Sequence, residues 1–216
     1  ALGDWKAPDD WYKRAIKEKN EWDAYVEKQS GPTNQEEPSY AHAVGAVYRN
    51  SDPSDIVVTA AGGLVGEVVQ VWKPKQLNTF ETEWGFSCMG YEISGALGIK
   101  MAKPDQDVVV FVGDGSYLLN NTDIYSSVIY DQKLIIIVCD NGGHMVINRL
   151  QLAKGGKEYI CNLRAARATN LKFVDFENHA KSMGANAETV SSTSELEAAY
   201  KRAKDSDKTY VITIKT

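Results

Sequence analysis

The chain has 216 residues, a formal net charge of -5, 43% apolar residues and 25% charged ones, an ordinary globular composition. That balance offers no basic field to a nucleic-acid backbone, and no apolar run approaches the roughly 20 residues that cross a bilayer. The opening ALGDWKAPDDWYKR lacks the basic-then-apolar order of a secretion signal, so a cytoplasmic protein with neither nucleic-acid nor membrane partners is expected. Cys88, Cys139 and Cys161 are odd in number and widely spaced, without a C-x-x-C. This argues against a disulfide framework, zinc or an iron–sulfur cluster, and the three read as buried reduced thiols. The chain runs into a helix almost as soon as it opens at Ala1, as a piece of something longer would.

Residues 9 to 29 place Trp11, Ala15, Trp22 and Val26 on one face and charges elsewhere, the pattern of an amphipathic helix with one sticky side. SGPTNQEEP follows, polar and with two prolines, which reads as a loop or linker. Residues 1–37 are therefore expected to form a connecting helix and linker, and 38–216 a domain that begins with the helix SYAHAVGAVYRN. From Ile56 onward short β-branched runs alternate with helical stretches: IVVTAAG, 85–102, VVVFVGD, 121–131, LIIIVCD, 175–183, AETV, 194–205 and YVITIK. Such alternation predicts an α/β fold, a parallel sheet with helices on both faces. The continuous apolar runs at 108–112 and 134–139 suit central strands buried on both sides.

Each of those two strands ends in a polar cluster, and ligands of open α/β sheets bind beyond the carboxyl ends of the strands. Gly113 and Gly115 allow a tight bend and close approach to a ligand, while Asp114 between them offers a hard carboxylate oxygen suited to Mg²⁺. Asn141 lies 27 residues on, after one helix and one strand, so its side-chain oxygen can converge on the same point. Gly142 and Gly143 then leave main-chain carbonyls accessible. A carboxylate, an amide oxygen and a main-chain oxygen make half an octahedron, which phosphate oxygens and water complete, so a diphosphate ligand is expected. Ser116 and nearby N–H groups can donate to a phosphate. AAGGLVGEV, with Gly62, Gly63 and Leu64, is a second glycine-rich strand-to-helix turn suited to cradling oxygens. Against this stands the reading in which Asp114 caps a helix and the glycines only turn the chain. The second cluster at matching topology favours the metal.

The spacing G-D-G, 24 residues, D-N resembles the signature of thiamine diphosphate-dependent enzymes, in which G-D-G is followed about 25 residues later by N-N. The resemblance covers about residues 40–216 and implies Asp114, Asn141 and the backbone oxygen of Gly143 as Mg²⁺ ligands. Asp140 replaces the first Asn at a position that is not a ligand. GFSCMGYEISGALG resembles the upstream segment in which a bulky apolar side chain props the bent cofactor. That role falls to Met89, with backbone groups of Ser87, Cys88 and Met89 on the aminopyrimidine edge; read alone, Met89 is core. The EWDAYV helix resembles an interdomain connection of the family. The implied activity is hydrolysis of a C–C bond of a cyclic 1,2-diketone in myo-inositol catabolism, with acetolactate synthase-like and malonic semialdehyde decarboxylase-like chemistry as alternatives.

In the family, the Glu that protonates the cofactor comes from a pyrimidine-binding domain across a subunit interface, which implies a homo-oligomer. Glu67, Glu81, Glu83 and Glu92 read instead as solvated or capping charges. His144, after the metal loop, is a candidate proton donor to a small-molecule substrate, or else a solvent-facing loop residue. Ile147 stands where decarboxylases of the family keep a Glu. His42 and His179 read as surface or packing residues, and Tyr91, Tyr117 and Tyr125 as core. Two further readings are a stand-alone cofactor-binding subunit of a split thiamine enzyme and a non-catalytic interaction domain.

Overall fold

A computed structural model describes residues 3–167, 170 and 173–216. The β-branched runs form six strands: β1 (Ile56–Thr59), β2 (Phe80–Thr82), β3 (Val108–Gly113), β4 (Ile135–Asp140), β5 (Asn186–Val190) and β6 (Tyr210–Lys215). They pair in the order β2-β1-β3-β4-β6-β5, and every pairing is parallel. Between them run α3 (Gly62–Val71), α4 (Tyr91–Ala102), α5 (Asp114–Leu119), α6 (Asp123–Ile129), α7 (Met145–Ala153), α8 (Phe176–Ser182) and α9 (Thr193–Asp205), preceded by α1 (Asp9–Ser30) and α2 (Tyr40–Arg49).

Alternation along each strand divides the core into two layers. Val57, Val109, Phe111, Ile135, Ile137 and Cys139 pack with α2, α3 and α9. Ile56, Val58, Val110, Val112, Ile136 and Val138 pack on the other face with α4, α5, α6 and α8. Both faces are covered, which is why β3 and β4 read as unbroken apolar runs. From β1 the chain steps to β2 through α3 on one face, then crosses back to β3 through α4 on the other. The connections thus diverge at β1 and β3, and a crevice opens beyond their carboxyl ends.

The opposite end of the sheet is held by charge. Lys204 Nζ lies 2.7 Å from Asp55 Oδ1, 2.7 Å from Asp52 Oδ2 and 3.1 Å from Asp107 Oδ2. Lys133 meets Asp107 at 3.1 Å, and the Tyr200 hydroxyl donates to Asp55 Oδ2 at 2.8 Å.

Several expectations are corrected. The helix expected from residue 85 begins at Tyr91, because Ser87 (φ 52°) and Gly90 (φ 93°) take left-handed conformations that no helix accommodates. The helix expected over 121–131 is α6, shorter at both ends, and a separate short helix, α5, precedes it at Asp114–Leu119, with Asn120 extended between them. β2 was not anticipated, and α7 was absent from the alternation read along the chain. Cys139 is buried, whereas Cys161 is only partly covered and Cys88 is exposed; all three are free thiols. Tyr117 is fully buried and Tyr91 packs against the core, but Tyr125 faces solvent. His179 packs as expected, edge-on to Tyr117.

α1 follows its predicted span, yet Trp11, Ala15 and Trp22 lie in solvent. Of its apolar face only Val26 joins the core. The helix docks through its last turn: Arg49 Nη1 donates to the Ser30 carbonyl at 2.6 Å, and a Cβ on Gly45 would lie 2.0 Å from that oxygen. No helix among the described residues is long and apolar enough to cross a membrane.

Candidate functional site

The carboxyl ends of β1, β3 and β4, with α7 and the turn before α4, enclose a cavity of about 360 Å³. β1 leads into Gly62, Gly63 and Leu64; β3 brings Gly113, Asp114, Gly115 and Ser116; β4 brings Asn141, Gly143 and His144; the turn before α4 adds Ser87 and Met89. The sequence-predicted residues therefore converge, with the exception of Cys88. Its side chain is exposed, outside the cavity lining, and its N–H donates to Glu83 Oε2 at 2.8 Å.

The register places Gly113 beside Cys139, so Asp114 and Asp140 follow as neighbours at the two strand tips. Asp114 is buried at the first position of α5, and its Oδ2 accepts the Gly143 N–H at 2.7 Å. Burial, and then the charge of Asp140, push its carboxyl up to about 6; the N–H groups of Gly143 and Gly115 and the nearby His144 offset this only partly. Asp140 Oδ1 accepts from Gly142 N at 3.0 Å. Asn141 Nδ2 donates to the Tyr40 hydroxyl, while its buried Oδ1 has no partner among the described residues.

The loop after β4 is shaped by glycine. Gly143 has φ 139°, and a Cβ there would lie 2.3 Å from the Cys161 carbonyl oxygen, which accepts the His144 N–H at 2.8 Å. The exposed His144 ring lies against Gly115, whose notional Cβ would meet Nδ1 at 2.7 Å and Met89 Cε at 3.6 Å. Beside Gly62 and Gly113 the same construction meets nothing within 4 Å, so open space flanks both turns.

These features fit a divalent ion carrying a diphosphate. A buried acid and an unpartnered amide oxygen border one cavity, next to main chain that no side chain covers. Among the described residues no group of three His, Cys, Asp or Glu side chains forms a metal site, so an ion here would rest on mixed oxygen donors. A second cavity of about 530 Å³ opens on the other side of Asn141 and Tyr40, toward Arg149 and Lys215.

Two contributors were missed. Tyr40, about a hundred residues before Asn141, has no spacing signal that could connect it to that amide. Glu92, expected as a solvated or capping charge, is buried. Its Oε1 accepts from Ser116 Oγ at 3.0 Å and Ala61 N at 3.3 Å, and its Oε2 from Gly90 N at 2.9 Å. Burial raises its carboxyl above the ordinary value, against these donors. The Ser116 hydroxyl is thus directed at Glu92. Glu83 does cap a turn, accepting from Phe86 N at 3.2 Å.

Residues 60–214 match the family described as thiamine pyrophosphate enzyme, C-terminal TPP binding domain; the chain belongs to this family. Among curated proteins it is similar to 3D-(3,5/4)-trihydroxycyclohexane-1,2-dione hydrolase of Halalkalibacterium halodurans, 39% identical over 76% of this chain and 26% of the relative. The hydrolase of the same description from Lacticaseibacillus casei is 38% identical over 91% of this chain and 30% of the relative. The chain thus spans between a quarter and a third of the length of these relatives. Among solved structures, the thiamine diphosphate-dependent 4-hydroxybenzoylformate decarboxylase of Rhodococcus jostii RHA1 superposes with a TM-score of 0.71 at 18% identity. It covers 85% of this chain and 33% of that one, a likeness of fold.

Proposed function

We propose that residues 38–216 are the diphosphate- and Mg²⁺-binding domain of a cytoplasmic thiamine diphosphate-dependent hydrolase, and residues 1–37 its connecting helix and linker. On this reading the enzyme cleaves a C–C bond of a cyclic 1,2-diketone in myo-inositol catabolism. The observation that carries the site is the unpartnered Asn141 Oδ1, buried on the cavity that Asp114 and Gly143 share. Support for the substrate comes from the relatives named above.

In this assignment Asp114, Asn141 Oδ1 and the Gly143 carbonyl hold Mg²⁺. The Gly143 N–H orients the Asp114 carboxylate. Tyr40 takes the Asn141 amide N–H, which leaves the amide oxygen for the ion. Main-chain groups of Gly62, Gly63 and Leu64, with Gly113, Gly115 and Ser116, cradle the diphosphate. Met89 supports the cofactor beside Gly115, and main chain of Ser87 and Met89 takes the aminopyrimidine edge. Thiamine diphosphate, when bound, supplies a nucleophilic carbon and an electron sink for C–C cleavage next to a carbonyl. His144, exposed against Gly115, is placed to donate a proton to substrate. Members of this family generally form oligomers and take small-molecule substrates; the Glu that activates the cofactor is assigned to a pyrimidine-binding domain from another domain or subunit.

Calorimetric titration with Mg²⁺ and thiamine diphosphate tests the site: binding is expected in this protein and lost in Asp114→Ala, and equal heats from both would refute it. For the activity, the full-length polypeptide supplied with the cyclic diketone should yield a ring-opened carboxylic acid without CO₂. Release of CO₂ would instead assign a decarboxylase.

A further inference from the structure

Gly90, which turns the chain into α4, is held from two sides. Its N–H donates to Glu92 Oε2 at 2.9 Å and approaches Ser116 Oγ at 3.3 Å. Its carbonyl accepts from Asn120 Nδ2 at 3.2 Å, an amide that also donates to Ser94 Oγ at 2.8 Å. The packing leaves no slack: with φ 93°, a Cβ at Gly90 would lie 2.8 Å from Asn120 Cβ. Glu92, 1% exposed, further gathers Ser116 Oγ and Ala61 N–H. One buried carboxylate therefore ties the turn after β1, the turn before α4 and the first turn of α5. A carboxylate so placed is expensive to bury and is tolerated only because donors from three segments converge on it.

We propose that Glu92 is a positioning residue: by clasping Gly90 to Ser116 it fixes Met89 over Gly115 and holds the Ser87–Met89 segment at a set distance from the Gly113–Ser116 turn. This rests on the site reading given above. Its consequence is a division of labour. The turns that cradle the diphosphate are carried by the ends of β1 and β3, and the Asp114 to Gly143 hydrogen bond adds a hold on the second of them; none of these passes through Glu92. The turn that carries Met89 follows only the three-residue edge strand β2; its start is held by Glu83, which accepts the Phe86 and Cys88 N–H groups, and its end at Gly90 by the clasp. Loss of Glu92 therefore weakens the grip on the rings of the cofactor more than the grip on its diphosphate.

The test compares the wild-type protein with Glu92→Gln, which keeps the size and removes the charge, and with Asn120→Ala, which frees the same turn from its other side. Each is titrated calorimetrically with Mg²⁺ plus thiamine diphosphate and, separately, Mg²⁺ plus inorganic diphosphate, with thermal unfolding followed in parallel. Wild type should bind thiamine diphosphate more tightly than inorganic diphosphate. Each variant should lose about tenfold in affinity for thiamine diphosphate and less than about twofold for inorganic diphosphate, the scale of one charge-assisted hydrogen bond. Equal loss for both ligands marks a structural role only and overturns the proposal, as do unchanged affinities in variants of a protein that binds both. A wild-type protein that binds neither ligand overturns the site reading, and this inference with it.

Discussion

The N–H of Gly143 donates to Asp114 Oδ2 at 2.7 Å, which joins the tips of β3 and β4 beyond the last rung of their ladder at Gly113 and Cys139. Gly143 can do so only in its left-handed conformation, with the Cys161 carbonyl where a Cβ would stand. Gly143→Ala is expected to cost about 1–3 kcal/mol, the range for strained backbone, and to abolish Mg²⁺-dependent binding of thiamine diphosphate. Urea unfolding and calorimetry check this; retained affinity would mean the loop tolerates the side chain.

Asp114 combines burial with a nearby like charge, so its ionised form is disfavoured. Asp114→Asn should raise the melting temperature of the ligand-free protein at pH 7 while eliminating its response to Mg²⁺. Differential scanning calorimetry with and without the ion reads both. A fall in melting temperature would show that the ionised carboxylate stabilises the tip.

At the far end of the sheet, burial works to raise the Asp107 carboxyl, but Lys133 and Lys204 outweigh it and hold it below the ordinary value. A depressed carboxyl contributes stability in full above its unfolded pKa of about 4, and that contribution is lost as pH falls through the lower folded value. Lys204→Met leaves Asp55 and Asp107 short of a cation and should cost about 3 kcal/mol at pH 7. The deficit should narrow as pH falls toward and through the depressed Asp107 value. Denaturant titrations across that interval decide; a deficit independent of pH would place the loss in packing.

Gly45→Ala would drive a methyl group into the Ser30 carbonyl. Because α1 buries little beyond Val26 and Ser30, its amides should exchange faster while those of β3 and β4 stay protected, as mass-spectrometric hydrogen exchange would show. Loss of protection throughout would mean that α1 is part of the cooperative unit.

The central strands were legible because both of their faces are covered and composition alone marks them. β6 and α9 declared themselves in the same way, within a residue at each end. β2 escaped notice because it is a three-residue edge strand, and α7 because Ile147, Leu150 and Leu152 on it remain exposed and trace no inward stripe. In the site, glycines and short polar residues at strand ends can be read from order along the chain. The burial of Glu92 cannot, since a Glu in the first turn of a helix looks the same whether it faces water or three converging donors. The exposed Cys88 and Tyr125 show the converse, that apolar character does not say which side of an element faces inward.

Every rung of this sheet joins strands separated by at least one crossover, so the described residues offer no hairpin with which to begin assembling it. The Gly143 amide can gain its acceptor only after the segment between residues 114 and 134 has closed β3 onto β4. Pulse-labelled during refolding, that single proton would serve as a clock for closure of the central sheet, its protection appearing no earlier than that of the β4 amides.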